Sequence, residues 1–192
     1  MEKEIALKRG LMISCLIIYS IRMCDKVTLT DPISTGPWTL YFHQGDSEKW
    51  TLDTFVKVQV CSTWGDVLSA IEEVGLNRFK SGQPFFMRGD ILPLWENHQN
   101  IRGGSYSIKV PSENVKEVFS SHVIQAMLGL AFKDGGNTCM GISMSPKKGT
   151  FNIMKIWNLS AEKYNKPDGL CFLDSRCSDS EVIYTPHVQK RM

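Results

Sequence analysis

The sequence predicts an α+β domain built around a curved antiparallel sheet. Three features indicate this class: strand-like segments outnumber helical ones, most connections are short enough for hairpins, and the two helical segments can both cover one face. The chain has 192 residues, which suffice for one domain with a real core, and its 42% hydrophobic and 22% charged content is ordinary for a globular protein.

The beginning of the chain differs from the rest. Residues 11–21 are largely apolar, and two basic residues precede them. This run is too short to span a bilayer comfortably and no convincing small-residue cleavage site follows it, although a secretory signal stays open as an alternative. We expect residues 1–31 to be a disordered or dispensable leader, and residues 32–192 to form the domain.

Two strands open the domain. The aromatic and β-branched residues of Trp38–Phe42 predict the first strand, and the alternation in Phe55–Val60 predicts the second. Val56, Val58 and Val60 would then share one face, and that face needs cover from another element.

A helix follows and can supply this cover. Thr63 and Asp66 resemble a capping box, and apolar residues recur at helical spacing until Gly75, which we expect to end the helix. The apolar stripe consists of Trp64, Val67, Leu68 and Ile71.

The remaining elements follow from the same two periodicities. A strand is predicted at Ser105–Val110, and a second helix is predicted from Ser120 or Ser121 to Phe132. The later predicted strands are Cys139–Ser145, Phe151–Leu159, Leu170–Leu173 and Val182–Thr185.

Charge and cysteine usage exclude several functions. The net charge of +2 comes from scattered Lys and Arg, which argues against a phosphate-neutralising stripe for bulk nucleic acid but not against a pocket for one nucleotide. The six cysteines contain no Cys-x-x-Cys pair, and the four histidines do not cluster at ligand spacing. No nucleophile–base arrangement is recognisable, so we predict no metal, no cofactor and no catalysis.

The most informative segment is Pro93–Tyr106, with the sequence PLWENHQNIRGGSY. Trp95 and Glu96 place an aromatic face beside a carboxylate in a loop, which suits a flat ligand that is cationic or donates hydrogen bonds. The whole run, with Trp-Glu, a polar stretch containing Asn, then Arg-Gly-Gly and an aromatic residue, resembles the signature of the eukaryotic translation initiation factor 4E family of mRNA cap-binding proteins. The resemblance extends from about Pro32 to the C-terminus.

This resemblance implies both a fold and a ligand. The family has a curved sheet with helices on its convex face and a cap-binding slot on its concave face. Trp50 and Trp95 would sandwich 7-methylguanine, whose positive charge adds cation–π attraction to stacking. Glu96 would accept the N1–H and N2–H of the base together, and Trp157 would pack against the methyl group. Trp38, by contrast, is expected in the core.

The resemblance is weaker at the phosphates. Lys147 and Lys148 approximately match one basic position of the family. Ser105 and Ile153 stand where the family has basic residues, and the nearby Lys155 does not replace the second of them in register. We therefore expect weaker phosphate contact than is typical of the family.

The resemblance also implies a partner. The family binds a helical Tyr-x-x-x-x-Leu peptide of a scaffold or repressor protein through a Trp in its first helix. Leu68 stands at that position here, with Trp64 one turn earlier. We expect Pro32, Trp64 and Leu68 to form one convex patch with an exposed Trp64, unless Trp64 is buried under the helix. Peptide binding would be weak and abolished by Trp64→Ala.

Two other departures mark a shortened and divergent member. Tyr106 stands where the family has Trp, in an expected core position. The stretch from Trp157 to Leu170 is too short for the long helix that usually follows, and it leaves a helical turn at about 160–165.

The resulting hypothesis is a cytoplasmic protein that binds the 5′ cap of mRNA and acts in translation initiation or its regulation. The alternative is a secreted carbohydrate-binding module. It reads the leader as a signal peptide, Asn158-Leu-Ser160 as a glycosylation sequon, the six cysteines as three disulfides and the exposed tryptophans as a sugar-stacking platform.

Overall fold

The structure is a computed structural model that describes residues 27–44, 48–133, 138–147, 150–164, 166–171 and 173–188. Side chains 76–81, 167 and 179 are outside this description. The predicted leader lies outside the described residues up to position 26. Its last part contacts the domain, because Val27 packs against the core and the Leu29 carbonyl accepts a hydrogen bond from the Gly65 N–H at 2.8 Å.

Seven strands form one sheet in which every pairing is antiparallel. The strands are β1 (Trp38–Gln44), β2 (Phe55–Cys61), β3 (Gly82–Arg88), β4 (Gly104–Pro111), β5 (Cys139–Pro146), β6 (Phe151–Asn158) and β7 (Ile183–Pro186), and the helices are α1 (Trp64–Ser81) and α2 (Val115–Met127). The spatial order of the strands is β2-β1-β3-β5-β6-β4-β7. This architecture confirms the predicted α+β class. Among the described residues, no helix combines the length and apolar character needed to cross a membrane.

The two faces of the sheet are covered differently. Both helices pack on one face, where they bury the larger apolar cluster. In β6, Met154 and Ile156 belong to that cluster, while Trp157 belongs to a smaller cluster on the opposite face. Because side chains alternate along a strand, Lys155 shares the face of Trp157. In the part of the chain that the structure describes, loops cover this concave face.

The helix-side core contains two of the aromatic residues expected there. Trp38 is 1% exposed, and its indole N–H donates to Thr35 Oγ1 at 2.9 Å. Tyr106 is fully buried, and its hydroxyl lies 2.7 Å from the Tyr164 carbonyl, so the phenol satisfies its polar end inside the core. The predicted core roles of Trp38 and Tyr106 are confirmed. Tyr164 itself closes a single helical turn through its N–H to the Ser160 carbonyl.

Helix α1 begins as predicted. Asp66 Oδ2 accepts a hydrogen bond from the Thr63 N–H at 2.8 Å, and Thr63 Oγ1 accepts one from the Asp66 N–H at 3.3 Å, which is a reciprocal capping box. Gly75 breaks the helix with φ 48° and ψ 168°, a left-handed φ that favours glycine. The helical path then resumes to Ser81, a continuation that the sequence did not predict.

Helix α2 lies earlier in the chain than predicted. Ser120 and Ser121 resembled helix starts, but their hydroxyls donate to the carbonyls of Lys116 and Val118 in the preceding turn, so both serines lie inside the helix. Gly129 follows the last helical residue, Met127, by two positions, and its φ of 78° belongs to a Schellman motif that terminates the helix. In that motif the Gly129 N–H donates to Ala126 and the Leu130 N–H donates to Gln125.

Strand β2 corrects the predicted covered face. A bulge skips Val58, so that Val56 pairs with Phe42 and Val60 pairs with Thr39. Phe42 and Thr39 lie on opposite faces of β1, and the two valines therefore point to opposite sides. Val56 and Val60 are 52% and 45% exposed on this edge strand.

Two further predictions need correction. The sequence analysis missed β3, which lies between β1 and β5 in the sheet. This strand contains Pro84. In the described part of 170–173, only Leu170 pairs, through an isolated bridge to Phe132. The other predicted strands are confirmed within one or two residues.

Candidate functional site

A cavity of about 280 Å³ lies on the concave face. Its walls bring together four residues that the sequence singled out from three separate segments. Its lining consists of Trp50, Gln83, Phe85, Pro93, Leu94, Trp95, Glu96, Ser143, Ser145, Lys155 and Trp157. An aromatic cavity with a few charged groups at its rim is typical of a small-molecule site.

Trp50 forms one wall. It lies on the loop between β1 and β2, and it is 49% exposed. One face of its indole is covered by the imidazole of His43, with ring centroids 4.1 Å apart and planes only 2° from parallel. Phe55 tilts against both rings. The indole is therefore supported from behind while it lines the cavity.

Trp95 is held by a loop that is organised around Asn100. Asn100 is fully buried, and its side-chain amide donates to the carbonyls of Leu92 at 2.9 Å and Leu94 at 2.8 Å. Only a carboxamide supplies two donors on one short side chain at this point. The amide bends the chain back on itself, so Trp95 and Glu96 project at the tip, and Trp95 is 47% exposed.

The two glycines after this loop allow a close approach. A Cβ on Gly103 would overlap the Asn158 carbonyl, and one on Gly104 would overlap the Tyr184 ring. The Gly104 N–H also donates to Asn158 Oδ1 at 3.1 Å. Close packing against β6 and β7 thus requires glycine at both Gly103 and Gly104.

Trp157 forms the buried wall and is 6% exposed. Its indole N–H donates to Ser143 Oγ at 3.1 Å, and Phe85 meets it edge-on. His187 packs against it with ring centroids 5.0 Å apart, and its Nδ1–H donates to the Asn100 carbonyl at 2.7 Å. Sequence reasoning missed His187, because no local pattern connects a histidine near the C-terminus with this loop.

Lys155 supplies positive charge inside the cavity. Burial lowers the pKa of its ammonium group, and the neighbouring charge of Lys147 lowers it further. A bound anion would relieve this repulsion. Lys148 lies outside the described residues. The sequence could have indicated Lys155, because it lies two residues before Trp157 on a strand and therefore shares its face. Ile153, which stands where the family has a basic residue, carries no charge.

Charges of both signs act on His187, which packs against Trp157. Burial lowers the pKa of His187, and the positive charge of Lys155 acts in the same direction. The Asn100 carbonyl and the carboxylate of Glu96 oppose this shift. The pKa of His187 is therefore influenced by charges of both signs, those of Glu96 and Lys155.

Comparison with known proteins identifies the family. The family model described as eukaryotic initiation factor 4E matches residues 35–172. The chain belongs to the eukaryotic initiation factor 4E family.

Individual relatives of this family are distant. Eukaryotic translation initiation factor 4E of Dictyostelium discoideum is 26% identical over 115 residues, which are 58% of this chain and 45% of that protein. The match thus spans less than half the length of this curated relative.

Solved structures of the family share the fold. Ascaris suum eIF4E-3 with the m2,2,7G cap has a TM-score of 0.61 at 18% identity, over 84% of this chain and 93% of that one. C. elegans eIF4E-3 with the 4E-binding protein Mextli and a cap analog has a TM-score of 0.63 at 18% identity, over 81% and 92%. Schistosome eIF4E with m7GpppA and 4E-BP has a TM-score of 0.61 at 20% identity, over 70% and 74%.

The predicted partner patch requires a correction for this initiation factor 4E family member. Pro32 is exposed and forms an isolated antiparallel β-bridge with Thr63. Leu68 is half-buried on α1. Trp64 is only 2% exposed, so the prediction of an exposed Trp64 is wrong. Its backbone N–H donates to the Asp31 carbonyl. Its side chain and that of Val67 belong to the buried face of α1. Trp64→Ala would therefore create a core cavity rather than remove a docking contact.

The secreted alternative finds no support in the structure or in the family. Asn158 is fully buried and accepts the Gly104 N–H, so it offers no glycan acceptor in the folded chain. The described cysteines are free: Cys61, Cys139, Cys171 and Cys177. The three predicted disulfides would have needed all six. Cys15 and Cys24 lie outside the described residues.

Asn100→Asp should damage the Trp95 loop. The carboxylate cannot donate, so the carbonyls of Leu92 and Leu94 lose their hydrogen bonds to this side chain and face a buried charge, and we expect a loss of about 2–4 kcal/mol in the free energy of unfolding. Chemical denaturation measures this loss, and hydrogen exchange should locate faster opening at residues 92–103. The matched control is Asn97→Asp, because Asn97 Oδ1 only accepts, from the Gln99 N–H. Equal stability of the two variants would contradict the role of Asn100.

Proposed function

We propose that the chain binds the 7-methylguanosine 5′ cap of mRNA in this cavity and acts in translation initiation or its regulation. The observation that carries the proposal is the pair of half-exposed indoles, Trp50 and Trp95, on separate loops around one cavity with Glu96 and Trp157. Family membership and the cap ligands of similar structures support it. The family is one of initiation factors and not of enzymes.

The two indoles would hold the base between them. Each stacked indole contributes roughly 1–3 kcal/mol to binding of a base. Methylation at N7 makes the base cationic, and cation–π attraction adds about 0.5–2 kcal/mol when the site is desolvated. Trp157 would close the third side with a buried apolar wall. Discrimination between methylated and unmethylated guanine would thus come from the indole walls.

Glu96 would select guanine. An ionised carboxylate accepts two hydrogen bonds at once, and guanine presents N1–H and N2–H side by side. Adenine lacks this pair of donors. Glu96 is exposed at the loop tip, so its carboxylate has little to do for core stability and is available to the ligand.

The phosphates would be held by Lys155 and Lys147. The lowered pKa of the Lys155 ammonium reflects burial and repulsion from Lys147, and a phosphate oxygen would offset both. This assigns the main contact to Lys155, in place of the pair Lys147 and Lys148 that the sequence favoured. Lysine is a point charge and tolerates this change of register.

The base prediction uses three variants. Trp50→Ala and Trp95→Ala should each weaken binding of 7-methylguanosine triphosphate by roughly 1–3 kcal/mol, since each removes one wall. Glu96→Gln should reduce the preference for guanine over adenine and leave stability nearly unchanged. Fluorescence titration measures all three, with Leu159→Ala on the neighbouring surface as control. Equal affinity of the unmodified protein for methylated and unmethylated guanosine triphosphate would contradict the cation–π mechanism.

The phosphate prediction concerns Lys155. Lys155→Gln should weaken binding of 7-methylguanosine triphosphate by about tenfold, because a charge-assisted contact is lost, and should leave the affinity for 7-methylguanosine itself unchanged. Lys109→Gln is the matched control, since Lys109 pairs with Glu181 at 3.0 Å away from the cavity. If both lysine variants bind the triphosphate as the unmodified protein does, phosphate recognition lies elsewhere.

A second candidate function is docking of a helical peptide on the outer face of α1. Exposed Leu29 (55%) contacts Gly65, three residues before the half-buried Leu68 on α1, and exposed Pro32 pairs with Thr63 at the start of this helix. Two of the similar structures contain 4E-binding proteins. An amphipathic helix would place its apolar anchors on such a surface. With Trp64 buried, this surface lacks a large aromatic anchor, so we propose weak binding of a Tyr-x-x-x-x-Leu peptide from a scaffold or repressor protein.

The peptide prediction replaces the Trp64 test. Leu68→Arg should reduce binding of a Tyr-x-x-x-x-Leu peptide by about tenfold or more, because an apolar contact becomes a buried charge. Ile183→Arg on the far edge of the sheet, where Ile183 is 65% exposed, is the control. Isothermal calorimetry measures both affinities. Tight peptide binding that survives Leu68→Arg would place the docking surface elsewhere.

A further inference from the structure

His43 lies behind the wall of the cavity that Trp50 forms. It is the second-to-last residue of β1, and it is fully buried. Its imidazole is parallel to the indole within 2°, with centroids 4.1 Å apart. Phe55 lies against both rings, at 4.8 Å from the imidazole and 6.0 Å from the indole. The three rings form one packed unit, and Trp50 is its exposed member.

A hydrogen bond ties His43 to the chain beside Trp50. His43 Nε2 lies 2.9 Å from the carbonyl oxygen of Lys49, the residue that precedes Trp50. A carbonyl can only accept, so Nε2 carries the hydrogen. Nδ1 finds no partner among the described residues. The imidazole thus fixes the backbone of the loop through its edge and the indole through its face.

This arrangement removes the freedom that an exposed loop Trp would otherwise have. A side chain that must be immobilised on binding weakens affinity, and a side chain that is already fixed does not. The Thr54 hydroxyl donates to the Thr51 carbonyl at 2.7 Å and lies 3.2 Å from the Lys49 carbonyl oxygen, so the loop is also held at its other end. The orientation of the indole plane is set before any ligand arrives.

We propose that His43 is a positioning residue for the ligand site, whose stacked imidazole and hydrogen bond to the Lys49 carbonyl preset the plane of Trp50. The proposal rests on the proposed function of the cavity. His43 touches no ligand and acts only through Trp50. Its two contributions are separable, because a phenyl ring keeps the stack and loses the hydrogen bond.

The test is a double-mutant cycle read by titration with 7-methylguanosine triphosphate. His43→Ala should weaken binding by roughly three- to tenfold, the effect of freeing one side chain, and His43→Phe should restore affinity to within about twofold. In a Trp50→Ala background, His43→Ala should have no further effect. His122→Ala is the control, because His122 is a buried histidine on α2 in the helix-side core.

A second readout needs no ligand. The quenching of Trp50 fluorescence by acrylamide, taken as the difference between each protein and its Trp50→Phe counterpart, should increase in His43→Ala. It should increase less in His43→Phe, which keeps only the stack, and stay unchanged in His122→Ala. If the unmodified protein does not bind the ligand, the proposed function fails, while this quenching still tests His43.

The proposal is overturned if His43→Ala leaves Trp50 quenching unchanged, or if the two losses of affinity add in the double variant. It is also overturned if His122→Ala loses as much affinity as His43→Ala. Thermal melts show whether each variant is folded. If His43→Ala does not fold, the comparison is made with His43→Phe.

Discussion

A sheet that is covered by helices on one side only must bury its other side in some different way. Here both helices pack on one face, and the opposite face carries its own aromatic cluster, which includes Phe85 and Trp157. In the described part of the chain the segments over that cluster are loops, and they leave Phe85 and Trp157 open to the cavity. The cavity lies where this cover is incomplete. Its apolar floor exists because the sheet needs hydrophobic residues there, and its polar rim exists because loops supply it.

Loops make precise walls only when something fixes them, and each wall of this cavity has its own device. The Trp95 loop is bent by the buried amide of Asn100. Trp50 is backed by the imidazole of His43. Trp157 needs no loop device, because it belongs to a central strand, and His187 packs against it while also holding the Asn100 carbonyl. A buried polar side chain therefore stands behind each exposed indole, and its hydrogen bonds to backbone carbonyls hold the loop that carries the indole.

The sequence predicted the aromatic walls because they lie in recognisable order along the chain, and it predicted most strands because alternation is a local signal. It missed Lys155 because the residue was judged by its place in a motif and not by the face it shares with Trp157. His43 and His187 had no local signal at all, since their partners come from other segments. Trp64 failed for a related reason. A helical stripe shows which residues share a face, but it does not show how far that face is turned inward.

The bulge in β2 is another limit of pattern reading. Val56, Val58 and Val60 alternate cleanly, yet the register with β1 skips Val58 and turns the flanking valines to opposite faces. A bulge depends on the twist and length of the partner strand, which the alternating residues do not encode. The existence of β2 therefore followed from the sequence, while the direction of its side chains did not.

Charged side chains of both signs line the cavity, and this suits the ligand of the proposed function. Glu96 and Lys155 line one cavity, and the pKa of His187 responds to both of them in opposite senses, so all three groups lie within electrostatic reach. A capped nucleotide has a cationic base and anionic phosphates, and it can meet the negative group with one end and the positive group with the other. An unmethylated nucleotide keeps its phosphates and loses only the base charge. Discrimination must then arise around the base, where the orientation of Trp50 and Trp95 matters most.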